Sequence, residues 1–427
     1  MITLLKENKN FRVLLGYRLF SGLGGGIFSI FMLLSIHLIY ENPMYTGIAG
    51  FLIAFPFIFS FAVGPVVDKS KKSTIMRWTT LLEFAALALL AFTPLHEQIG
   101  ILFMFAVILV FSIAALFESP SKTALLPQIV QDENIVKANS LIQIVQLIGG
   151  IGVAALLFIT LREGANANFS FIYGVSAVFL IIAFLFALLV KEPNKKEANA
   201  KPETSNYISD LKAGAKFIRH NILLFLVIAF VSMSVFAEIA SVNRPEFYEY
   251  YAGAQGYVIF MIMALIGGII ASVLAGTLGS NFRVGRLLFV LLMITGAIRI
   301  VFVIVIPGSL TGAYIIAVLY AAISGPLDIA FTSLGQKIPP KDMVGRVDTI
   351  STTIAAIFVA VGALLGGFLG SIVPNVDYIF IFHGVSYGVI GAFILLVPSI
   401  RKLPKMGEIN CVSLNEADEV GVGGDNS

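Results

Sequence analysis

The sequence predicts an all-α membrane protein of twelve transmembrane helices, arranged as two pseudo-symmetric six-helix bundles with both termini cytoplasmic. Three observations predict it. The chain of 427 residues is 58% hydrophobic and 12% charged, with a mean hydropathy of +0.94, whereas soluble domains carry about 25% charged residues. Stretches free of Asp, Glu, Lys and Arg recur at spanning length, which is ~20 residues per helix. The basic residues, finally, sort to one side of the spans so defined.

The uncharged windows are 19–40, 42–67, 98–117, 138–161, 164–190, 220–237, 250–282, 349–376 and 378–400. Segment 73–95 is also spanning, interrupted only by Glu83. Segment 286–327 is long enough for two helices, carries Arg299, and turns at Pro307-Gly308-Ser309. Helices are therefore expected over 11–40, 43–67, 73–95, 98–119, 138–161, 168–190, 221–243, 254–279, 286–306, 311–335, 348–373 and 377–399. With the N-terminus in the cytoplasm, every Lys and Arg except Arg18, Arg162, Arg244 and Arg299 falls in an inner loop or tail. The positive-inside rule thus places both termini in the cytoplasm and requires an even number of helices. The first segment follows Lys6, Lys9 and Arg12 but has no small-residue cleavage site. It is also longer than a signal-peptide core, so it is expected to remain as helix one. A plasma membrane is the expected location.

Four regions follow: an N-terminal bundle over 1–190, a cytoplasmic linker over 191–220, a C-terminal bundle over 221–400, and a disordered, acidic, Gly-rich tail over 401–427. In the linker, Ile208, Leu211, Ala215 and Ile218 share one helical face while Lys212, Lys216 and Arg219 occupy another. That pattern predicts a short helix on the inner membrane surface, the alternative being an early start of helix seven.

Several classes are excluded. The lone cysteine, Cys411, permits no intrachain disulfide and no cysteine metal cluster. A net charge of +3, spread along the chain, gives no basic surface for nucleic acid. Without a Gly-Lys dipeptide there is no P-loop, so any work must draw on an ion gradient or the substrate's own. No enzyme activity, cofactor or metal is expected. The expected partners are the bilayer and a small-molecule substrate, and the expected state is a monomer.

An internal repeat at an offset near 210 relates the halves. Ser119-Pro120, Leu125-Leu126-Pro127 and Ala138-Asn139-Ser140 correspond to Gly325-Pro326, Ile338-Pro339-Pro340 and Arg346-Val347-Asp348. Each series reads as a helix end, a short polar loop and a helix start. Val63-Gly64 before the loop Asp68–Lys72 likewise matches Ala275-Gly276 before Arg283 and Arg286. Duplicated six-helix halves mark alternating-access carriers with a site near the midplane.

The stretch Gly64-Pro65-Val66-Val67-Asp68-Lys69-Ser70-Lys71-Lys72 resembles the inner-loop motif of the major facilitator superfamily. Phe117-Glu118-Ser119-Pro120 through Leu126-Pro127 to Lys137-Ala138-Asn139-Ser140-Leu141 is similar to the branch with bacterial macrolide exporters and the enterobactin exporter. The resemblance implies proton-driven export of amphipathic small molecules such as drug-like compounds or siderophores. A proton-coupled importer of a small metabolite, and a non-transporting membrane sensor or assembly factor on a carrier fold, are the alternatives.

Within the loop motif, Gly64, Asp68, Lys69 and Lys72 form a candidate cytoplasmic gate. Asp68 can cap a helix or pair with a neighbouring cation, while the lysines serve either a latch or anionic headgroups. Gly64 is expected to allow close helix approach. Six charges fall within the spans, where burial in hydrocarbon is costly and function is the first expectation. Arg18, Glu118, Glu238 and Asp328 are candidates for proton coupling or the substrate cavity, whereas Glu83 and Arg299 read as structural charges. Lys122, one turn after Glu118, offers an ion pair. Arg18 cannot give up its proton, but a carboxylate can gain and lose one as its surroundings alternate between desolvated and arginine-paired. Asp328 or Glu118 is therefore the expected proton carrier, biased by Arg18. His37, near the outer end of helix one, is either a proton relay or a plain interfacial histidine.

Overall fold

The computed structural model describes residues 2–93, 98–131, 134–162, 168–192, 207–340, 343–405 and 408. Among the described residues there is no strand, only helices and an isolated bridge between Arg283 and Lys405. In chain order the helices are α1 (Ile2–Glu7), α2 (Lys9–Tyr40), α3 (Pro43–Ala54), a 3-10 turn (Phe55–Phe59), α4 (Ser60–Lys69), α5 (Lys72–Ala91), α6 (Gln98–Ile129), α7 (Ile135–Thr160) and α8 (Phe169–Leu189). They continue with α9 (Tyr207–Arg219), α10 (Leu223–Val242), α11 (Arg244–Asn281), α12 (Val284–Val305), α13 (Leu310–Lys337), α14 (Val344–Ile372), α15 (Asp377–Leu396) and α16 (Pro398–Arg401). Twelve helical stretches are long and apolar enough to cross a membrane, as the sequence predicts.

Short polar residues start the helices. Asn8, Asn42, Asn168 and Ser309 each accept a backbone N–H of the first turn of α2, α3, α8 and α13, satisfying donors the helix cannot. Glu41, in the left-handed region at φ 49°, ends α2.

The helices depart from the expected bounds at prolines and glycines. Expected helix two is interrupted, because Pro56 has no N–H for the ladder and the chain tightens into the 3-10 turn. At Pro120 the opposite happens. Pro120 was expected to lie just past a helix end, yet α6 runs on through Pro120 and Pro127; α13 runs through Pro326, within the expected span 311–335. The carbonyls of Leu116 and Thr123 lose their ladder partners; next to them, Ser121 Oγ donates to Phe117 O at 2.7 Å and Gln128 Nε2 to Ala124 O at 3.0 Å. Transmembrane helices tolerate proline where neighbouring helices and local adjustments take up the freed backbone groups. Residues 244–252, expected as loop, are helical with Pro245 in the first turn, and Gly253 (φ 68°, ψ 177°) joins them to the rest of α11.

The chain forms two compact units. The first comprises Met1–Lys201, Ser241–Ile259 and Ala363–Ile372; the second comprises Pro202–Ala240, Phe260–Gly362 and Val373–Ser427. In the first, Phe11, Leu14, Tyr17, Met76, Leu125 and Ala183 belong to a continuous core. The end of α14 joins this unit because Gly47 and Gly367 bring α3 and α14 together: a Cβ built on Gly47 would lie 2.6 Å from Gly367 Cα. In the second, Leu226, Leu288, Leu292, Leu327 and Ile394 form the core, and Leu403 is buried with them. Outward positions such as Trp78, Phe92, Ile159 and Leu396 are exposed and apolar, a surface suited to lipid and not to water.

Helix α9 is distinct from α10. Gly214 and Ile218 are buried in the second unit, while Lys212, Lys216 and Arg219 are exposed. Most of the linker, 193–206, and the expected disordered tail beyond Lys405, Glu408 apart, lie outside the described residues.

Candidate functional site

In the first unit a buried polar network joins three helices. Tyr17 of α2 is completely buried; its Oη lies 3.0 Å from Thr80 Oγ1 on α5 and donates to Glu118 Oε1 on α6. Thr80 Oγ1 also sits 2.7 Å from Met76 O. Glu118, 7% exposed, pairs with Lys122 Nζ at 3.0 Å. Arg18 Nη2 donates to Lys122 O at 3.0 Å, while Arg18 Nε is buried without a hydrogen-bond partner. Glu83, 5% exposed, is three residues from Thr80 and within electrostatic reach of Glu118 and Lys122. The structure therefore brings Arg18, Glu83 and Glu118 together. Glu83, expected as a merely structural charge, stands beside the expected proton carrier.

Proton inventory gives this network two arrangements. When Glu118 carries a proton, Glu118 can donate to Tyr17, Tyr17 to Thr80 and Thr80 to Met76 O. When it is ionised, Tyr17 donates to Glu118 and Thr80 can turn toward Tyr17. Hydroxyl groups can act as donor or acceptor in either arrangement.

The second unit treats its charges differently. Arg299 of α12, 4% exposed, holds its guanidinium 3.9 Å from the centre of the Tyr320 ring, 5.4 Å from Phe380 and 5.9 Å from Phe302. This is an aromatic cage for a planar cation. His383 is buried beside it, with ring centres 4.9 Å from Tyr387 and 6.4 Å from Tyr320. Asp328 lies on α13, exposed at its surface but within electrostatic reach of Tyr387, and its backbone oxygen accepts from Thr332 Oγ1 at 2.8 Å. Glu238 is half-buried on α10 where that helix meets α14; a Cβ on Gly362 would lie 3.4 Å from Glu238 Cβ. Arg18 and Glu118 belong to the first unit, Asp328 and Glu238 to the second.

The loop motif is partly described. Lys69 is exposed, whereas Lys72 is 2% exposed and donates to Val67 O at 2.6 Å and Ser70 O at 3.0 Å. Lys72 thus holds the carbonyl end of α4, a favourable place for a cation. The side chain of Asp68 lies outside the described residues. The close approach expected at Gly64 is absent, since a Cβ there would meet nothing within 4 Å. His37 Nε2 is 3.9 Å from Glu249 Oε2, an ion pair only when the histidine is protonated.

Sequence reasoning missed Tyr17, Thr80, Tyr320 and His383, which are ordinary residues until the fold places them. It also missed Arg77, whose guanidinium donates to Ala187 O at 3.0 Å and Val190 O at 3.2 Å and ties α5 to the end of α8. The acidic Asp348, read only as a helix start, lines a cavity of about 150 Å³ with Thr332, Ser351 and Thr352.

Twelve apolar spans with buried charges in each unit define a polytopic carrier fold. The profile of the Major Facilitator Superfamily matches residues 14–358. The chain belongs to that superfamily. It is 24% identical over 374 residues to the macrolide efflux protein A of Streptococcus pyogenes, covering 85% of this chain and 89% of that one. It is also 24% identical to the uncharacterized MFS-type transporter YkuC of Bacillus subtilis (strain 168), covering 84% and 83%. Among solved structures it resembles the nucleoside transporter NupG (TM-score 0.72, 15% identity, 91% of this chain and 98% of that one). The D-xylose-proton symporter is similar in fold as well (TM-score 0.68, 14% identity, 93% and 98%).

Proposed function

We propose that this protein is a proton-coupled secondary transporter that exports hydrophobic or amphipathic small molecules by alternating access. It would work as a monomer in a bacterial plasma membrane with both termini cytoplasmic. The observation that carries the coupling is the Glu118 network. A buried carboxylate there has one ammonium partner, a tyrosine hydroxyl able to donate or accept, and a second carboxylate nearby. Such a group can bind and release a proton as the conformation changes its surroundings. The export direction is supported by the similarity to macrolide efflux protein A. The positive-inside distribution of Lys and Arg supports the orientation.

The test is a susceptibility and accumulation panel, macrolides included, in a host lacking its own pumps. Expression should lower intracellular substrate, and collapse of the proton gradient should restore it. Raised accumulation on expression would instead mark an importer. No change with any compound, gradient or none, would reject transport.

A further inference from the structure

In the second unit the chain after α16 returns to the start of α12. Arg283 and Lys405 face each other in an antiparallel bridge, and Val284 N donates to Pro404 O at 3.1 Å. Opposed residues of such a pair hold their Cα atoms about 5 Å apart. Gly285 seats α16 directly against α12, since a Cβ there would fall on Ile400 O and lie 2.9 Å from Arg401 Cα. Val284, Ile400 and Leu403 are buried in the core of the unit, so both segments are fixed. Arg283, Arg286, Arg401, Lys402 and Lys405 are thereby gathered on one patch, and all are exposed. None of these cations makes a side-chain hydrogen bond or an ion pair among the described residues. The neighbouring acid, Glu408, accepts the backbone N–H of Lys405 at 3.2 Å.

Arg286 also opens the uncovered face of α12. Val290, Met293, Ile294, Val301 and Ile304 follow it at helical spacing on one side, and all are exposed. From Arg286 to Ile304 the stripe runs about 27 Å, close to the ~30 Å of a hydrocarbon core. The matching loop of the first unit differs: Lys72 there is turned inward onto Val67 O and Ser70 O, whereas Arg283 and Arg286 stay outward.

We infer that this patch binds an anionic phospholipid, its phosphate held among Arg283, Arg286 and Arg401 and an acyl chain laid along the exposed stripe of α12. Charge complementarity fixes the headgroup. Guanidinium forks match phosphate oxygens bidentately, and the surplus of positive charge repels the ammonium of a zwitterionic lipid. The stripe fixes the source, because the cations stand where an apolar helix face begins, the depth at which a phospholipid carries its phosphate. Basic clusters of this kind at a membrane surface attract anionic headgroups. Here the bridge and the Gly285 contact hold the cations in place beforehand, which lowers the ordering cost of binding. The site is independent of the export reading, since binding needs neither substrate nor gradient.

The test is native mass spectrometry of the purified full-length protein in detergent. The probes are phosphatidylglycerol and phosphatidylethanolamine with the same acyl chains. The wild type is expected to bind phosphatidylglycerol about tenfold more tightly. Arg286→Gln and Arg401→Gln should each weaken that binding about fivefold, and Arg286→Lys should retain most of it. The control is Lys212→Gln with Lys216→Gln, which removes two exposed cations from α9 of the same unit and should leave affinity within about twofold. Excess inorganic phosphate should not displace the lipid. All the substituted side chains are exposed, and matching thermal melts keep the comparison independent of folding. Equal binding of the two lipids, unchanged affinity in Arg286→Gln, an equal loss in the α9 variant, or displacement by phosphate overturns the site. Loss of transport with lipid binding intact would count against the export reading and leave the site standing.

Discussion

Lys122 Nζ lies 3.0 Å from Glu118 Oε1, one turn along the same helix, and the carboxylate so held accepts the hydroxyl of Tyr17 from α2. Through Tyr17 and Thr80 the ion pair on α6 is wired to α2 and α5. The hydrogen bonding of three helices therefore meets at Glu118.

Tyr17→Phe removes the hydroxyl and keeps the ring. The network loses its link between Glu118 and Thr80, and a buried acceptor loses a donor, which costs about 1–3 kcal/mol. Gradient-driven transport in proteoliposomes is expected to fall about tenfold while the protein still purifies as a single species. Unchanged transport would show that the tyrosine is packing alone.

Lys72 and Lys69 separate the two roles open to the loop lysines. Lys72→Met removes a buried and a part-buried hydrogen bond at the carbonyl end of α4 and is expected to cost about 1–3 kcal/mol. Lys69→Met, at an exposed position, is expected to stay within about 0.5 kcal/mol of the wild type. Thermal melts in detergent read both, and equal effects would refute the capping role.

Arg299→Lys tests the aromatic cage. The ammonium replaces a planar guanidinium stacked on Tyr320 at 3.9 Å, and the substitution is not conservative at a stacked site. A destabilisation of about 1–2 kcal/mol is expected, matched by Tyr320→Leu and not additive with it. Additive losses in the double variant would place Arg299 and Tyr320 in separate environments.

Gly47→Ala and Gly367→Ala should each be destabilising by about 1–3 kcal/mol, since each Cβ would meet the facing backbone at 2.6–2.7 Å. Gly64→Ala, with open space around it, should be tolerated. Thermal melts of the three variants provide the comparison, and a tolerated Gly367→Ala would contradict the packing of α14 on α3.

The sequence makes the spans legible because hydrocarbon penalises charge along any helix that crosses it. Charge-free windows therefore mark helices without reference to their neighbours. The same logic fails at proline: Pro56 breaks its helix while Pro120, Pro127 and Pro326 do not. Buried charges are legible as anomalies. Arg18, Glu83, Glu118 and Arg299 stand out of their windows, and Lys122 is recognisable at helical spacing from Glu118. Their partners on other helices are not legible, because Tyr17, Thr80 and Tyr320 are unremarkable in type and meet the charges only through packing. Asp348 stayed hidden because it sits at a helix start, where acidic residues are commonplace.

The most direct test of the account is proton-linked transport in inside-out vesicles with a defined pH gradient. Wild-type protein should accumulate an amphipathic substrate when the lumen is acidic and discharge the gradient when substrate is added. Glu118→Gln should lose both while retaining substrate exchange at equilibrium. Full gradient-driven accumulation by Glu118→Gln would contradict the claim that the buried carboxylate on α6 carries the coupling proton.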